Sequence, residues 1–393
     1  MGWSWPRKGR RSVSESPEPG PARPSSVMPR LLKSYDACCI NNAMGLLSRE
    51  YGRIDEIWRG HKMQESIYLG TLIRYILTFA MMVGLSLCVY GVLRLFHVRQ
   101  AYATGYALIS PWLAGLLIFT AGPIFTSLGL SFTSYDLFTQ PKWVGLDNYR
   151  WLFSDTLSFW PSVRLTLSYA FLSVPIGVIG SLLVALLLSM DIRGIGTYRT
   201  IYYMPAILPE VSVALLWRWL FNSEAGLLNM VLRPFLSVMG IRNPDWFGEP
   251  RFVLPAFVIM SVWGVFGTNM VVFLAAIRNV PKVLYEAAEI DGAGGFSKFW
   301  NITLPQISPV ILLQVIMGII GALQIFAVAM FARPTSAAGR FMNQLIYERG
   351  FLQLKMGEAS AIAWVLFLII LGLTLLVFRS STAWVYYEAE VQK

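Results

Sequence analysis

The chain has 393 residues, of which 55% are hydrophobic and only 14% are charged, and its formal net charge is +10. Soluble domains carry about 25% charged residues, whereas several windows here hold roughly 20 apolar residues, enough to cross a bilayer. The composition therefore indicates an all-α integral membrane protein and excludes an ordinary soluble domain. Basic residues are typical of loops beside lipid, so the charge does not predict nucleic-acid binding. The three cysteines and two histidines form no ligand pattern, and we expect no metal and no cofactor.

The first 66 residues read as a basic extension that precedes the apolar part of the chain. Residues 1–30 are rich in Pro, Ser and Arg, a composition that predicts disorder. Arg10 and Arg11 do not indicate a twin-arginine signal, because no apolar core follows them for dozens of residues. An extra hydrophobic segment at 67–104 comes next.

Seven apolar runs are long enough to be spanning helices. They lie at 75–95, 107–131, 165–190, 203–221, 253–277, 309–331 and 361–379. The linker 132–164 is polar, aromatic and rich in turn-forming residues, which favours an interfacial connection. Residues 227–238 are amphipathic and are predicted to lie along the membrane surface.

Orientation follows from the distribution of Lys and Arg. If 286–305 is cytoplasmic, alternation places 191–202 and 94–106 on the same side, in agreement with the positive-inside rule. The same alternation places 1–74 outside, although this stretch carries twelve Lys or Arg against seven Asp or Glu. Either 67–97 does not cross the membrane once, or the N-terminus is unusual.

The charged stretch between the fifth and sixth runs reads RNVPKVLYEAAEIDGAGGFSKFWNITLPQIS. Pro281 is suited to open a helix, and Gly292 to end it in the left-handed conformation. Ser297 is suited to cap a second short helix, and Pro305 and Pro309 to bend the chain into the next run. The pattern predicts a helix–turn–helix outside the bilayer, either an ordinary amphipathic loop or a docking surface of fixed shape.

The same stretch resembles the EAA motif of the membrane subunits of bacterial ABC importers, which reads E-A-A, three residues, G, nine residues, I-x-L-P. The motif positions and the D-G-A that often accompanies them are Glu286, Ala287, Ala288, Asp291, Gly292, Ala293, Ile302, Leu304 and Pro305. Stretches such as LSFTSYDL, WVGLDNYRWLF and YRTIYYMPAILPEVSVALLWRWLF are similar to permeases of the carbohydrate-uptake subfamily.

The resemblance implies a six-helix permease core at 105–393, with the segment 67–104 adding one extra N-terminal hydrophobic helix. It implies that 278–308 is a cytoplasmic coupling loop, and that the C-terminus is cytoplasmic too. In such relatives the glutamate of the motif faces a basic group of the ATPase, the alanines pack closely and the glycine makes the turn.

The function that follows from the resemblance is import of a sugar or sugar-like solute across the bacterial cytoplasmic (inner) membrane. The implied partners are an ATPase dimer, a second permease subunit and an extracytoplasmic solute-binding protein. The sequence contains no Gly-Lys dipeptide and therefore no phosphate-binding loop of the G-x-x-x-x-G-K-[ST] type. We therefore expect a transport subunit rather than an enzyme, with ATP hydrolysed by a partner chain.

Polar residues inside spans mark solute pathways or simply join neighbouring helices. A sugar site needs an aromatic platform beside amide or hydroxyl groups. The candidates for the substrate pathway are Ser261, Trp263, Thr268, Asn269, Gly321 and Gln324, with Glu210, Arg218 and Gln314 as further polar positions. Each has a plainer interpretation, since Trp263 is also suited to packing and Gln324 to bonding a neighbouring helix.

Three alternatives stay open. The solute could instead be glycerol phosphate, a polyol or an oligosaccharide. An integral-membrane enzyme of the glycosyltransferase kind predicts clustered Asp, Glu or His near one membrane face. A channel or proton-coupled carrier predicts intramembrane carboxylates or broken-helix repeats.

Overall fold

The computed structural model describes residues 70–190, 193–238, 242–332, 334 and 339–386. The predicted extension at 1–66 lies outside the described residues. The chain divides into two compact units, one that ends at residue 114 and one that begins at residue 115.

The described helices, in chain order, are α1 (Gly70–Leu95), α2 (Gln100–Ser131), α3 (Asp147–Ser154), α4 (Phe159–Ser189), α5 (Ile195–Ile207), α6 (Glu210–Leu220), α7 (Leu227–Val238), α8 (Pro250–Asn279), α9 (Lys282–Ile290), α10 (Gly295–Leu323), α11 (Ala327–Ala332), α12 (Met342–Tyr347) and α13 (Met356–Ser381). Two-residue strands β1 (Thr133–Ser134) and β2 (Lys142–Trp143) pair antiparallel, with Thr133 opposite Trp143. Six of these helices, α1, α2, α4, α8, α10 and α13, are long and apolar enough to cross a membrane. The predicted all-α membrane fold is confirmed.

The fourth predicted span, 203–221, is not one straight helix. Helices α5 and α6 meet at an angle of 97°, and the pair counts as a seventh span only if both parts are taken together. The break lies at Leu208, whose backbone is extended (ψ 136°), and Pro209 follows it. A proline disfavours helical geometry in the residue before it, so the bend is a local consequence of Pro209.

The sixth predicted span, 309–331, is wrong at both ends. Helix α10 begins at Gly295 and stops at Leu323, and α11 is a separate short helix packed against α6. At the break, the backbone carbonyl of Gln324 accepts a hydrogen bond of 2.8 Å from Nδ2 of Asn343. The Asn343 side chain, 19 residues away, therefore supplies the hydrogen bond that a backbone N–H of the next helical turn would otherwise donate to this carbonyl.

Small residues let α4 and α8 pack along most of their length. Ser173, Gly177 and Ser181 follow one another at four-residue spacing on α4 and are buried. A Cβ at Gly177 would lie 3.0 Å from Cγ1 of Val265, so a larger residue there would fit only if the Val265 side chain moved. On α10, a Cβ at Gly318 would lie 3.1 Å from Cγ1 of Val174 on α4, so the absence of a side chain there also allows a close approach. Close contact through small residues is how membrane helices associate without a hydrophobic driving force.

This packing predicts different effects for two glycines of α8. A Cβ at Gly267 would lie 2.5 Å from the backbone carbonyl oxygen of Tyr202 on α5, whereas Gly264 has open space around it. We expect Gly267→Ala to cost about 1–3 kcal/mol of stability, because backbone atoms must shift. Gly264→Ala is the matched control. The measurement is the thermal unfolding midpoint of each purified variant in one detergent, and equal midpoints would contradict the packing described here.

Candidate functional site

Helix α9 carries the first part of the EAA-like motif, ends at Ile290 and is followed by a turn at Gly292. It begins at Lys282, directly after Pro281, and Gly292 has the left-handed backbone φ of 74°. The Gly292 N–H donates to the Glu289 carbonyl (3.1 Å), and the Ala293 N–H donates to the Ala288 carbonyl (2.8 Å). These two bonds are the Schellman pattern, which satisfies the last carbonyls of a helix. The turn predicted at Gly292 is present.

The second part of the motif differs from the prediction. No separate short helix is capped by Ser297: α10 starts at Gly295, after the extended residue Gly294 (ψ 167°), so Ser297 lies inside the helix. The α10 helix then continues into the next span through a five-residue π turn, Phe299–Thr303, that directly precedes Leu304 and Pro305. A proline ring clashes with the carbonyl four residues back in an α-helix, and the wider turn absorbs that clash.

The loop presents an apolar surface that no described part of the chain covers. We call it the apolar tip, and define it as Val283, Ala287, Ile290, Phe296 and Trp300. Ile290 is 88% and Phe296 79% exposed, and the rings of Phe296 and Trp300 stack 6.2 Å apart. Glu286 lies beside the tip and is exposed as well. The three tip residues on α9 are spaced to share one face, and Phe296 and Trp300 form a second exposed pair; exposed apolar groups of this kind mark interaction sites.

The last described residues lie beside the base of the loop. Because Pro309 has no N–H, the Pro305 carbonyl has no partner four residues on. The Ser308 hydroxyl donates to that carbonyl (2.7 Å), and the same oxygen accepts a bond from the Tyr386 backbone N–H (2.9 Å). One hydroxyl thus joins the base of the loop to the end of the described chain.

A cavity of about 610 Å³ lies within the second unit, between α4, the α5–α6 bend, α8 and α10. Five of the six predicted pathway residues line it, namely Ser261, Thr268, Asn269, Gly321 and Gln324. The further polar positions Glu210 and Gln314 line it too. Trp263 lies elsewhere, with its ring 5.8 Å from that of Trp217 in an edge-on contact.

Helix α4 adds polar groups to the cavity that were not predicted. Tyr169 and Ser173 line it, and the Tyr169 hydroxyl interacts with the side chains of Ser173 and Ser261. The Tyr169 ring packs edge-on against Phe341 at 5.4 Å, which fixes its direction. In the sequence, the only signal is a tyrosine four residues before a serine in an apolar run. The cavity therefore combines apolar walls with hydroxyl and amide groups, the composition of a site for polar organic molecules.

Comparison with known proteins decides the family. Residues 162–384 match the family described as the inner membrane component of binding-protein-dependent transport systems. The chain belongs to this family. The matched range runs from the first turns of α4 to the end of α13, and therefore includes both the loop and the cavity, as well as the bend between α5 and α6.

Several curated permeases are similar over most of the chain. A probable ABC transporter permease of Bacillus subtilis, YesP, is 37% identical over 75% of this chain and 95% of its own length. The trehalose/maltose transport system permease MalF of Thermococcus litoralis is 31% identical over 70% of this chain and 92% of its own. The sn-glycerol-3-phosphate transport system permease UgpA of Pectobacterium atrosepticum is 31% identical over 72% and 95%.

A solved structure is similar as well. One chain of a bacterial ABC transporter involved in the import of the acidic polysaccharide alginate superposes with a TM-score of 0.63 and 26% identity. The match covers 74% of this chain and 99% of that chain. The architecture of this inner-membrane component is therefore that of an ABC importer permease.

Proposed function

We propose that this chain is the membrane-spanning subunit of an ABC importer that moves a sugar or sugar-like solute into the bacterial cytoplasm. ATP is hydrolysed on a separate pair of ATPase subunits, because this chain carries no phosphate-binding loop in its sequence. A second permease subunit and an extracytoplasmic solute-binding protein complete the complex. The loop at 278–308 and the C-terminus face the cytoplasm.

The observation that carries this proposal is the shape of the loop. The Schellman end gives α9 a fixed length and direction, and the apolar tip leaves an uncovered surface ready for a partner. In the proposed complex, Glu286 faces a basic group of the ATPase, while Ala287 and Ala288 allow close approach. Asp291, Gly292 and Ala293 form the turn, and Ile302, Leu304 and Pro305 join the loop to α10.

The solute path in this proposal is the cavity of the second unit. Pyranose rings present both C–H faces and hydroxyls, which suit the apolar walls and the polar groups of Tyr169, Ser261, Asn269 and Gln324. The relative named for trehalose and maltose supports a sugar. The relative named for sn-glycerol-3-phosphate keeps glycerol phosphate as the second candidate.

Purification of the tagged chain from native membranes in mild detergent, with mass spectrometry of the eluate, tests the complex. We expect an ATPase with a phosphate-binding loop, a second permease and a solute-binding protein. The solute released from that binding protein on denaturation then separates sugar from glycerol phosphate. Elution of the chain alone from well-solubilised membranes would overturn the proposal.

The turn of the loop yields a matched pair of variants. Gly292 has φ of 74°, whereas Gly294, two residues on, has φ of −68°, and neither has a neighbour within 4 Å of an added Cβ. Forcing alanine into the left-handed region costs about 1–2 kcal/mol, so Gly292→Ala should shift α9 away from its docked direction. We expect less ATPase to co-purify with Gly292→Ala, by roughly fivefold or more.

Gly294→Ala is the control for that experiment and should retain the wild-type amount of ATPase. Gly292→Asn should fall between the two, because asparagine tolerates the left-handed conformation better than alanine does. Identical recovery from both alanine variants would show that the conformation of Gly292 does not matter for docking.

The cavity yields a second pair. Gly321 lines it and has open space for a side chain, and Gly372 on α13 also has open space but does not line it. We expect Gly321→Leu to lower uptake of the solute identified above by at least roughly tenfold, because the leucine fills space the solute needs. Gly372→Leu should leave uptake close to wild type, and both variants should assemble. Full uptake by an assembled Gly321→Leu complex would exclude the cavity as the path.

A further inference from the structure

Two polar contacts join helix α9 to the first turns of α10. The Tyr285 hydroxyl lies 2.9 Å from Oγ1 of Thr303, and Nζ of Lys298 lies 2.8 Å from Oε1 of Glu289. Tyr285 and Glu289 are four residues apart, so they occupy neighbouring positions on one face of α9. Thr303 is buried, so the Tyr285–Thr303 contact is shielded from water, whereas in the ion pair Lys298 is 19% exposed but Glu289 is 66% exposed.

The π turn brings the two partners on α10 to the same side. Residues five apart, such as Lys298 and Thr303, point about 140° away from each other in an α-helix. Here the Leu304 N–H bonds to the Phe299 carbonyl, five residues back, and the Thr303 hydroxyl lies 3.4 Å from the Lys298 carbonyl. The wider turn places both side chains toward α9.

The segment between the two helices offers little stiffness of its own. Residues 291–294 form the turn, and three of the five residues that follow the end of α9 are glycines, at 292, 294 and 295. Glycine-rich segments bend easily. Without the two contacts, a force applied to the α9 part of the apolar tip (Val283, Ala287 and Ile290) would bend this joint rather than move α10.

We propose that Tyr285, Glu289, Lys298 and Thr303 are positioning residues that make α9 and α10 move as one rigid unit. Helix α10 runs from this joint to the cavity, which it lines with Gln314 about 16 Å from Thr303 along the helix axis. A displacement of the apolar tip then reaches the cavity wall without loss. This inference rests on the proposed docking of the tip on an ATPase subunit.

Pulsed electron spin resonance between two nitroxide labels tests the rigid unit. Leu284→Cys on α9, outside the apolar tip, and Leu313→Cys on α10 are both exposed positions, and Cys38, Cys39 and Cys88 are replaced by serine. The full chain is measured in nanodiscs, alone and in complex with its ATPase, with and without ATP and vanadate. We expect one narrow distance in all three states.

Removal of both contacts should release the joint. In Tyr285→Phe with Lys298→Met we expect the distance distribution to widen roughly twofold or more, as a glycine-rich connection behaves as a flexible coil. We expect the distance distribution to stay narrow in Lys298→Arg. It should also stay narrow when the two charges are exchanged, in Glu289→Lys with Lys298→Glu. The control is Lys282→Met, which removes a lysine of α9 that forms no ion pair among the described residues.

Two results would overturn the inference. One is an unchanged width in the Tyr285→Phe, Lys298→Met variant, and the other is a wild-type distance that shifts when ATP and vanadate are added. Failure of the wild-type chain to bind any ATPase would overturn the proposed function instead. The width measured on the chain alone would still decide whether the contacts stiffen the joint.

Discussion

Backbone hydrogen bonding in an apolar solvent decides where this chain can leave helical geometry. Water is scarce inside a bilayer, so each break in a helix needs partners for the groups it frees. The bend at Pro209 leaves no N–H unpaired at that residue, since proline has none, and the Gln324 carbonyl is bound by Asn343. Residues at both breaks, Glu210 and Gln324, line the cavity. The cavity thus lies where two helices are interrupted, and at one of the breaks a side chain satisfies the freed carbonyl.

Close packing of α4 against α8 determines which polar groups of the cavity lie near one another. Ser173, Gly177 and Ser181 bring α4 against α8, and the same approach turns Tyr169 and Ser173 toward Ser261. Larger residues at these positions would separate the two helices and move the hydroxyls of Tyr169 and Ser173 away from Ser261. The small residues therefore do more than hold the helices together, because they set which polar groups meet in the space that remains.

Features that depend on neighbouring residues could be predicted from the sequence, and features that depend on distant contacts could not. The apolar runs and the turn at Gly292 need only a few consecutive residues, and both are present. The bend before Pro209 also had a local signal, since proline restricts the preceding residue, but its 97° angle depends on packing.

The end of α10 depends on Asn343, and the contribution of Tyr169 to the cavity depends on its contact with α8. Ser297 has a good capping propensity, yet the extended backbone of Gly294 starts the helix earlier.

The position of the loop in the chain explains how one short surface can act on a buried cavity. Helix α8 carries Ser261, Thr268 and Asn269 and leads into α9 after only two residues, while α10 carries Gln314 and Gly321. The loop is therefore the connection between two walls of the cavity, and no other element intervenes. Because the proposed contacts of Tyr285 with Thr303 and of Glu289 with Lys298 stiffen the loop, a displacement at this connection changes the separation or rotation of the walls rather than being absorbed in the loop. A partner that binds the exposed tip thus acts on the solute path through the loop and the two helices that the loop connects, with no need for a relay of side chains across the membrane.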